Sequence, residues 1–195
     1  MRKCAVVIFT AIFAVIALTP AKAQFNYKFP VEGCKYTYPR AHHDYPATDI
    51  IQVRKRETCS FVAPIGGVVE DVNRKDRWTY KTNRGEDRGG RLVSMIGDDG
   101  VRYYGSHLAS VAADVKPGVR VEAGQVLGVV GASGSAKGTK PHLHFGISYP
   151  TEPGDWEIRR GVVWPWSFLD SWREGKNRSP VKAVAEAKQD AAGKS

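Results

Sequence analysis

The 195-residue chain has little of several things whose absence narrows the reading. It has only three cysteines and five histidines, and its 20 acids are outnumbered by 29 lysines and arginines. There is no internal repeat, and the length leaves no comfortable room for a second full domain. The longest apolar stretch, residues 5–18, spans 14 residues, short of the roughly 20 that a helix needs to cross a bilayer. It follows Met1-Arg2-Lys3 and precedes the small-x-small site Ala21-Lys22-Ala23, so residues 1–23 read as a secretory signal peptide rather than a retained anchor. Cys4 sits before the apolar stretch, the wrong place for a lipid-anchor cysteine.

Setting the leader aside leaves Cys34 and Cys59, and an even pair in an exported chain reads as a disulfide. The enclosed loop, about 24 residues, corresponds to stabilisation on the order of 3 kcal/mol in the chain-entropy picture. The formal net charge of +9 falls to +6 without Arg2, Lys3 and Lys22. A basic exported protein is drawn to anionic polymers such as a bacterial envelope, although charge also serves solubility and names no partner. Nothing in the pattern points to nucleic acid.

From Cys59 to Ser148 the signals are short β-branched or aromatic runs, among them Gly67-Val68-Val69, Arg91 to Ile96, and Val101-Arg102-Tyr103-Tyr104. Asp98-Asp99-Gly100, Lys116-Pro117-Gly118 and Glu122-Ala123-Gly124 punctuate them as turns. An all-β, mainly antiparallel domain is expected over residues 42–150, after a lead-in at 24–41. Residues 71–90, rich in Lys, Arg, Asp, Asn and Gly, read as a long exposed loop that borders a cleft or simply decorates the surface. Residues 151–178 carry Trp156, Trp164, Trp166, Phe168 and Trp172 and read as an extension packed on the domain, with a short helix near 167–174. Residues 179–195 collapse to Ala, Lys, Glu, Gln and Gly and read as a disordered or weakly helical tail.

All five histidines fall in three short segments: His42 and His43, His107, and His142 and His144. In a strand, residues two apart share a face, so His142 and His144 would point together into one cleft, with Leu143 and Phe145 opposite. The segment His42 to Ile50 supplies imidazole and the Asp49 carboxylate across a turn containing Pro46. Together with one strand histidine these make three metal ligands and leave a fourth position open, the pattern of a catalytic zinc site. A polar strand face with no metal is the plainer alternative.

His142-Leu143-His144-Phe145, preceded by Gly124-Gln125-Val126-Leu127-Gly128 and the glycine-rich residues 131–138, resembles the lysostaphin/LytM-type peptidases. Ala63 to Val69 and Ser106-His107-Leu108 extend the resemblance, which covers roughly residues 42–148. It implies a β-sandwich or barrel-sandwich hybrid fold and a secreted zinc endopeptidase that cuts stem or cross-bridge peptides of peptidoglycan, acting as a monomer in the periplasm or cell envelope with one Zn2+ per chain. By that analogy His144 and Asp49 bind zinc with one of His42 or His43. His142 is the general base toward the zinc-held water, and His107 stabilises the oxyanion. The chain has no His-Glu-x-x-His, so histidines replace the glutamate base of that motif.

Two departures from the family pattern leave alternatives open. Its first motif usually spaces His and Asp by four positions, but here Asp49 stands seven after His42 and six after His43. Gly105 replaces a common aromatic, which would widen the cleft or pass the role to Tyr104. The glycine-rich 131–138 lacks the lysine and hydroxyl of a phosphate loop and reads as a flexible loop at the cleft wall. Residues 119–130 look like a biotinyl or lipoyl carrier in architecture only. The rival function is a catalytically inactive relative that binds peptidoglycan or activates an amidase.

Overall fold

The computed structural model describes residues 25–193, so the leader expected over 1–23 lies outside the described residues. The described residues form eleven strands and three α-helices. In order these are β1 (Val31–Glu32), β2 (Tyr36–Thr37), β3 (Thr48–Gln52), β4 (Ser60–Val62), β5 (Gly67–Asn73), β6 (Leu92–Gly97) and β7 (Arg102–Ser106). There follow β8 (Ser110–Val111), β9 (Arg120–Val121), β10 (Val126–Val129) and β11 (His142–Ser148), then α1 (Trp156–Arg159), α2 (Trp166–Arg173) and α3 (Val181–Ala192).

The strands form two antiparallel sheets, one of four strands in the order β1-β4-β10-β8 and one of seven in the order β2-β3-β11-β7-β6-β5-β9. The all-β expectation holds, and its period-two logic is visible in the core. Leu143, Phe145 and Ile147 of β11 are fully buried with Tyr103 of β7, against Phe61 and Leu127 of the smaller sheet. The three expected turns form as well: Gly97 donates to the Val101 carbonyl around Asp98-Asp99-Gly100, Val119 to that of Lys116, and Gln125 to that of Glu122. The Cys34–Cys59 disulfide is present and ties the turn between β1 and β2 to the start of β4.

The aromatic extension packs as expected. Its helix α2 buries Phe168, Leu169 and Trp172, and Trp172 stacks on Tyr27 with ring centroids 5.2 Å apart. Three stretches differ from expectation. The tail is an ordered helix, α3, because Val184 finds a buried place on the core that composition alone does not reveal. Residues 71–90 begin inside β5, and beyond it Trp78 is buried and donates to Asn83 Oδ1, so the loop carries its own anchor and is no loose decoration. The glycine-rich 131–138 is pinned, not flexible: Ser133 Oγ accepts from Arg91 N–H, Gly134 N–H donates to Asp76 Oδ1, and Ser135 N–H donates to the Arg88 carbonyl.

Candidate metal centre and cleft

The register of the large sheet builds the site. His144 of β11 pairs directly with Asp49 of β3 on one side and with Ser106 of β7 on the other. Cross-strand partners share a face, so the His144 ring and the Asp49 carboxylate meet, with Nδ1 3.3 Å from Oδ1. His142, two residues earlier, lies on the same face, while Leu143 and Phe145 enter the core.

The turn before β3 brings His42 to the same carboxylate, Nε2 3.8 Å from Asp49 Oδ1. His42, Asp49 and His144 each offer one ligand atom, all within 4.8 Å of one another. His43, the other candidate from sequence, is exposed and stands outside this trio, 5.2 Å from the His42 ring by centroids, where it lines the cleft. The chain bends over residues 43–46, and of the pair only the His42 imidazole joins Asp49 and His144.

His107 follows the last residue of β7 and has a positive φ of 65°, a conformation that costs a non-glycine residue energy and persists only where surroundings impose it. Its N–H donates to the Gly89 carbonyl. Its Nδ1 lies 2.8 Å from the Ser133 carbonyl. Its ring stands 5.0 Å from that of His142 and 6.0 Å from that of His144 by centroids. The loop carrying Ser133 comes so close because Gly134, at φ 66°, has no Cβ; one there would sit 2.1 Å from the Arg88 carbonyl oxygen.

Backbone carbonyls also hold the other rings. His144 Nε2 lies 3.0 Å from the Arg160 carbonyl, His42 Nδ1 3.1 Å from that of Tyr45, and His142 Nδ1 2.8 Å from that of Lys140. A carbonyl only accepts, so each of these nitrogens carries the hydrogen. In the neutral rings the opposite nitrogen is then a bare acceptor.

Burial works to raise the Asp49 carboxyl, but the closeness of His144 and the fields of His144, His142 and His42 outweigh it and hold the group at about 2. Burial, reinforced by His144 and His142, pushes His107 down to about 3. Burial and the neighbouring His144 also lower His42. The site therefore presents an ionised carboxylate among imidazoles, with His42 and His107 held neutral at physiological pH.

Of the site's imidazoles, His107 and His144 line a cleft of about 720 Å3 together with residues of the 83–89 loop, of β7 and of the C-terminal extension. Tyr104 and Ser106 line it, whereas Gly105 faces the other way: a Cβ there would lie 2.4 Å from the Phe61 ring. The glycine serves core packing and does not widen the cleft. The sequence marks none of Arg160, Tyr45 and Trp156 as a site residue, and the Arg160 carbonyl reaches His144 from 16 residues away. Nothing in the local pattern around Trp156-Glu157-Ile158-Arg159-Arg160 signals that role.

The arrangement defines a class before it defines a family. The fold is that of the LytM and lysostaphin peptidases: a LytM protein from Ruminococcus gnavus, assigned as a glycyl-glycine endopeptidase, superposes with a TM-score of 0.60 at 21% identity over 80% of this chain and 63% of that one. The catalytic domain of the antimicrobial peptidase lysostaphin from Staphylococcus simulans matches with a TM-score of 0.51 at 23% identity, over 70% of this chain and 93% of that one. The chain belongs to peptidase family M23, whose model matches residues 49–156. A curated relative, the L-Ala--D-Glu endopeptidase of Bacillus subtilis (strain 168), is 32% identical over 89 residues, which is 43% of this chain. The match spans 26% of that relative's length.

Proposed function

We propose that the protein is a secreted zinc metallo-endopeptidase that hydrolyses peptide cross-links of bacterial peptidoglycan. Three acceptor atoms converging on one point carry this reading. With hydrogens on His144 Nε2 and His42 Nδ1, the lone pairs of His144 Nδ1 and His42 Nε2 turn toward the Asp49 carboxylate. Acceptors at such distances repel unless a positive charge lies among them. Two neutral imidazoles and one carboxylate form a set that suits zinc, and three protein ligands leave a position for water or substrate. When bound, zinc would supply Lewis acidity, polarising a substrate carbonyl and easing deprotonation of water.

The protein's own groups do the rest. His142 and His107 both turn an Nε2 acceptor toward the site, since carbonyls hold their Nδ1 atoms. His142, the less enclosed ring, takes the proton from the attacking water and passes it to the departing amine. His107 enters with a changed role. Oxyanion stabilisation would need a hydrogen on Nε2, which its contact with Ser133 and its neutral state deny it, so it accepts a hydrogen bond from the water and fixes its direction. The carbonyls of Arg160 and Tyr45 keep the ligand rings in the required tautomer and orientation. The wall-peptide substrate draws support from the identity shared with the L-Ala--D-Glu endopeptidase.

Incubation of the mature protein with purified peptidoglycan, read by mass spectrometry of released fragments and by metal analysis, tests the whole reading. About one zinc per chain is expected, with digestion lost on chelation and in His142→Ala. His42→Ala and Asp49→Ala should lose the metal, and His43→Ala should keep it. The reverse result for His42 and His43 would overturn the ligand assignment. Equal digestion by His142→Ala would remove the assigned base. No zinc and no digestion on any wall type would favour the binding role instead.

A further inference from the structure

We infer that the Arg160 side chain anchors a free carboxylate of the substrate peptide beside the bond that is cut. This rests on the peptidase reading and narrows its substrate from wall peptides in general to peptides that carry such a carboxylate.

The charged groups lining the cleft are largely accounted for. Glu86 pairs with Arg84, Arg159 with Asp71, and Arg88 Nε donates to the Asn83 amide oxygen. Asp44 is exposed at the rim. Arg88 has no carboxylate partner either but is exposed to water, whereas Arg160 is half-buried: its guanidinium lies 3.8 Å over the Tyr45 ring and 5.0 Å from that of Trp156, and no carboxylate pairs with it among the described residues. Its Nε is buried without a hydrogen-bond partner. Aromatic faces attract a cation but leave its charge and its in-plane N–H groups unsatisfied. A guanidinium so partly stripped of water is matched by a planar anion, and its fork fits a carboxylate through two parallel hydrogen bonds.

The position fits the reaction. The backbone carbonyl of the same residue holds His144 Nε2 at 3.0 Å. Tyr45, on which the guanidinium rests, stands 4.6 Å from the His42 ring and 5.8 Å from that of His144 by centroids. An anion gripped there lies one ring away from the ligand cluster, the distance of a neighbouring group on the scissile peptide. A glycine bridge has no such carboxylate. A peptide whose acidic residue is joined through its side chain, or whose diamino diacid is joined at one end, leaves a carboxylate free next to the amide.

The test compares a cross-linked muropeptide, two L-Ala-γ-D-Glu-diaminopimelyl-D-Ala stems joined through a D-alanyl-diaminopimelate bond, with the same compound carrying its carboxylates as amides. Calorimetric affinities of chelator-treated protein are measured at near-physiological salt, alongside kcat/KM of the zinc-loaded protein. Wild type should bind the acid form at least about tenfold more tightly than the amide form, the scale of one charge-assisted hydrogen-bonded pair. Arg160→Gln should bind both forms alike at the amide level, with unchanged zinc content and circular dichroism, and Arg160→Lys should recover part of the preference. Equal affinity of wild type for acid and amide, a comparison that needs no variant, overturns the inference, as does a preference that survives in Arg160→Gln. Selective binding of the acid form without hydrolysis keeps this inference and removes the peptidase reading. Hydrolysis of both forms with equal kcat/KM does the reverse.

Discussion

Around the carboxylate of Asp49, His42, His107, His142 and His144 each commit one ring nitrogen to a backbone carbonyl and turn the other inward. The burial that keeps the inner nitrogens of His42 and His107 unprotonated ties stability to pH. His107 is held at about 3 against an ordinary 6.5, so from about pH 6.5 downward the unfolded chain binds a proton that the folded chain refuses. Its contribution is present above pH 6.5 and lost as pH falls toward 3. Asp49, held at about 2 against 3.8, adds stability above about pH 4 that disappears as pH falls through 2. The thermal midpoint should therefore drop between pH 7 and pH 4, at about 2–4 °C per kcal/mol for a chain of this size. In His107→Gln the drop should be shallower, and an equal slope in both proteins would contradict the account. At this scale the alternation of His142 and His144 was legible because strand geometry has a period of two. The choice between His42 and His43 was not, since a turn obeys no such period.

Among the elements, the loops did most to defeat expectation. Polar, glycine-rich stretches read as mobile when only their composition is known, yet residues 131–138 interlock with residues 76–91 through Gly134, Ser133 and Asp76 beside the cleft. The segment after α1 approaches β11 equally closely, because a Cβ on Gly146 would stand 2.2 Å from the Arg160 carbonyl oxygen. Gly146→Ala should thus push that carbonyl off His144. The expected result is destabilisation of about 1–3 kcal/mol, as for overpacking generally, together with about 10-fold or greater weakening of zinc affinity through loss of the ring's outer support. Unfolding in denaturant and competitive metal titration measure the two separately, and unchanged zinc affinity would show that the carbonyl contact is dispensable.

For the whole molecule, the smaller sheet and α2 share the core with the large sheet, while α1 and Arg160 border the cleft. One consequence of composition survives folding: residues 24–195 carry a formal charge of +6, and such a field extends about 10 Å at 0.1 M salt and about 3 Å at 1 M. Co-sedimentation with intact sacculi should fall several-fold between those salt concentrations, whereas cleavage of a short soluble peptide should change less; sacculus binding indifferent to salt would refute the electrostatic part. The sequence alone determined the all-β class, the two faces of β11, the disulfide partners and the residue types at the site, because hydrophobic period, turn chemistry and the scarcity of cysteine and histidine are local properties. Only the tertiary structure decided that His42 turns inward, that the loops are pinned, that α3 docks and that Arg160 reaches the cleft. Each of those depends on which distant backbone comes within hydrogen-bonding range, and spacing along the chain does not encode that.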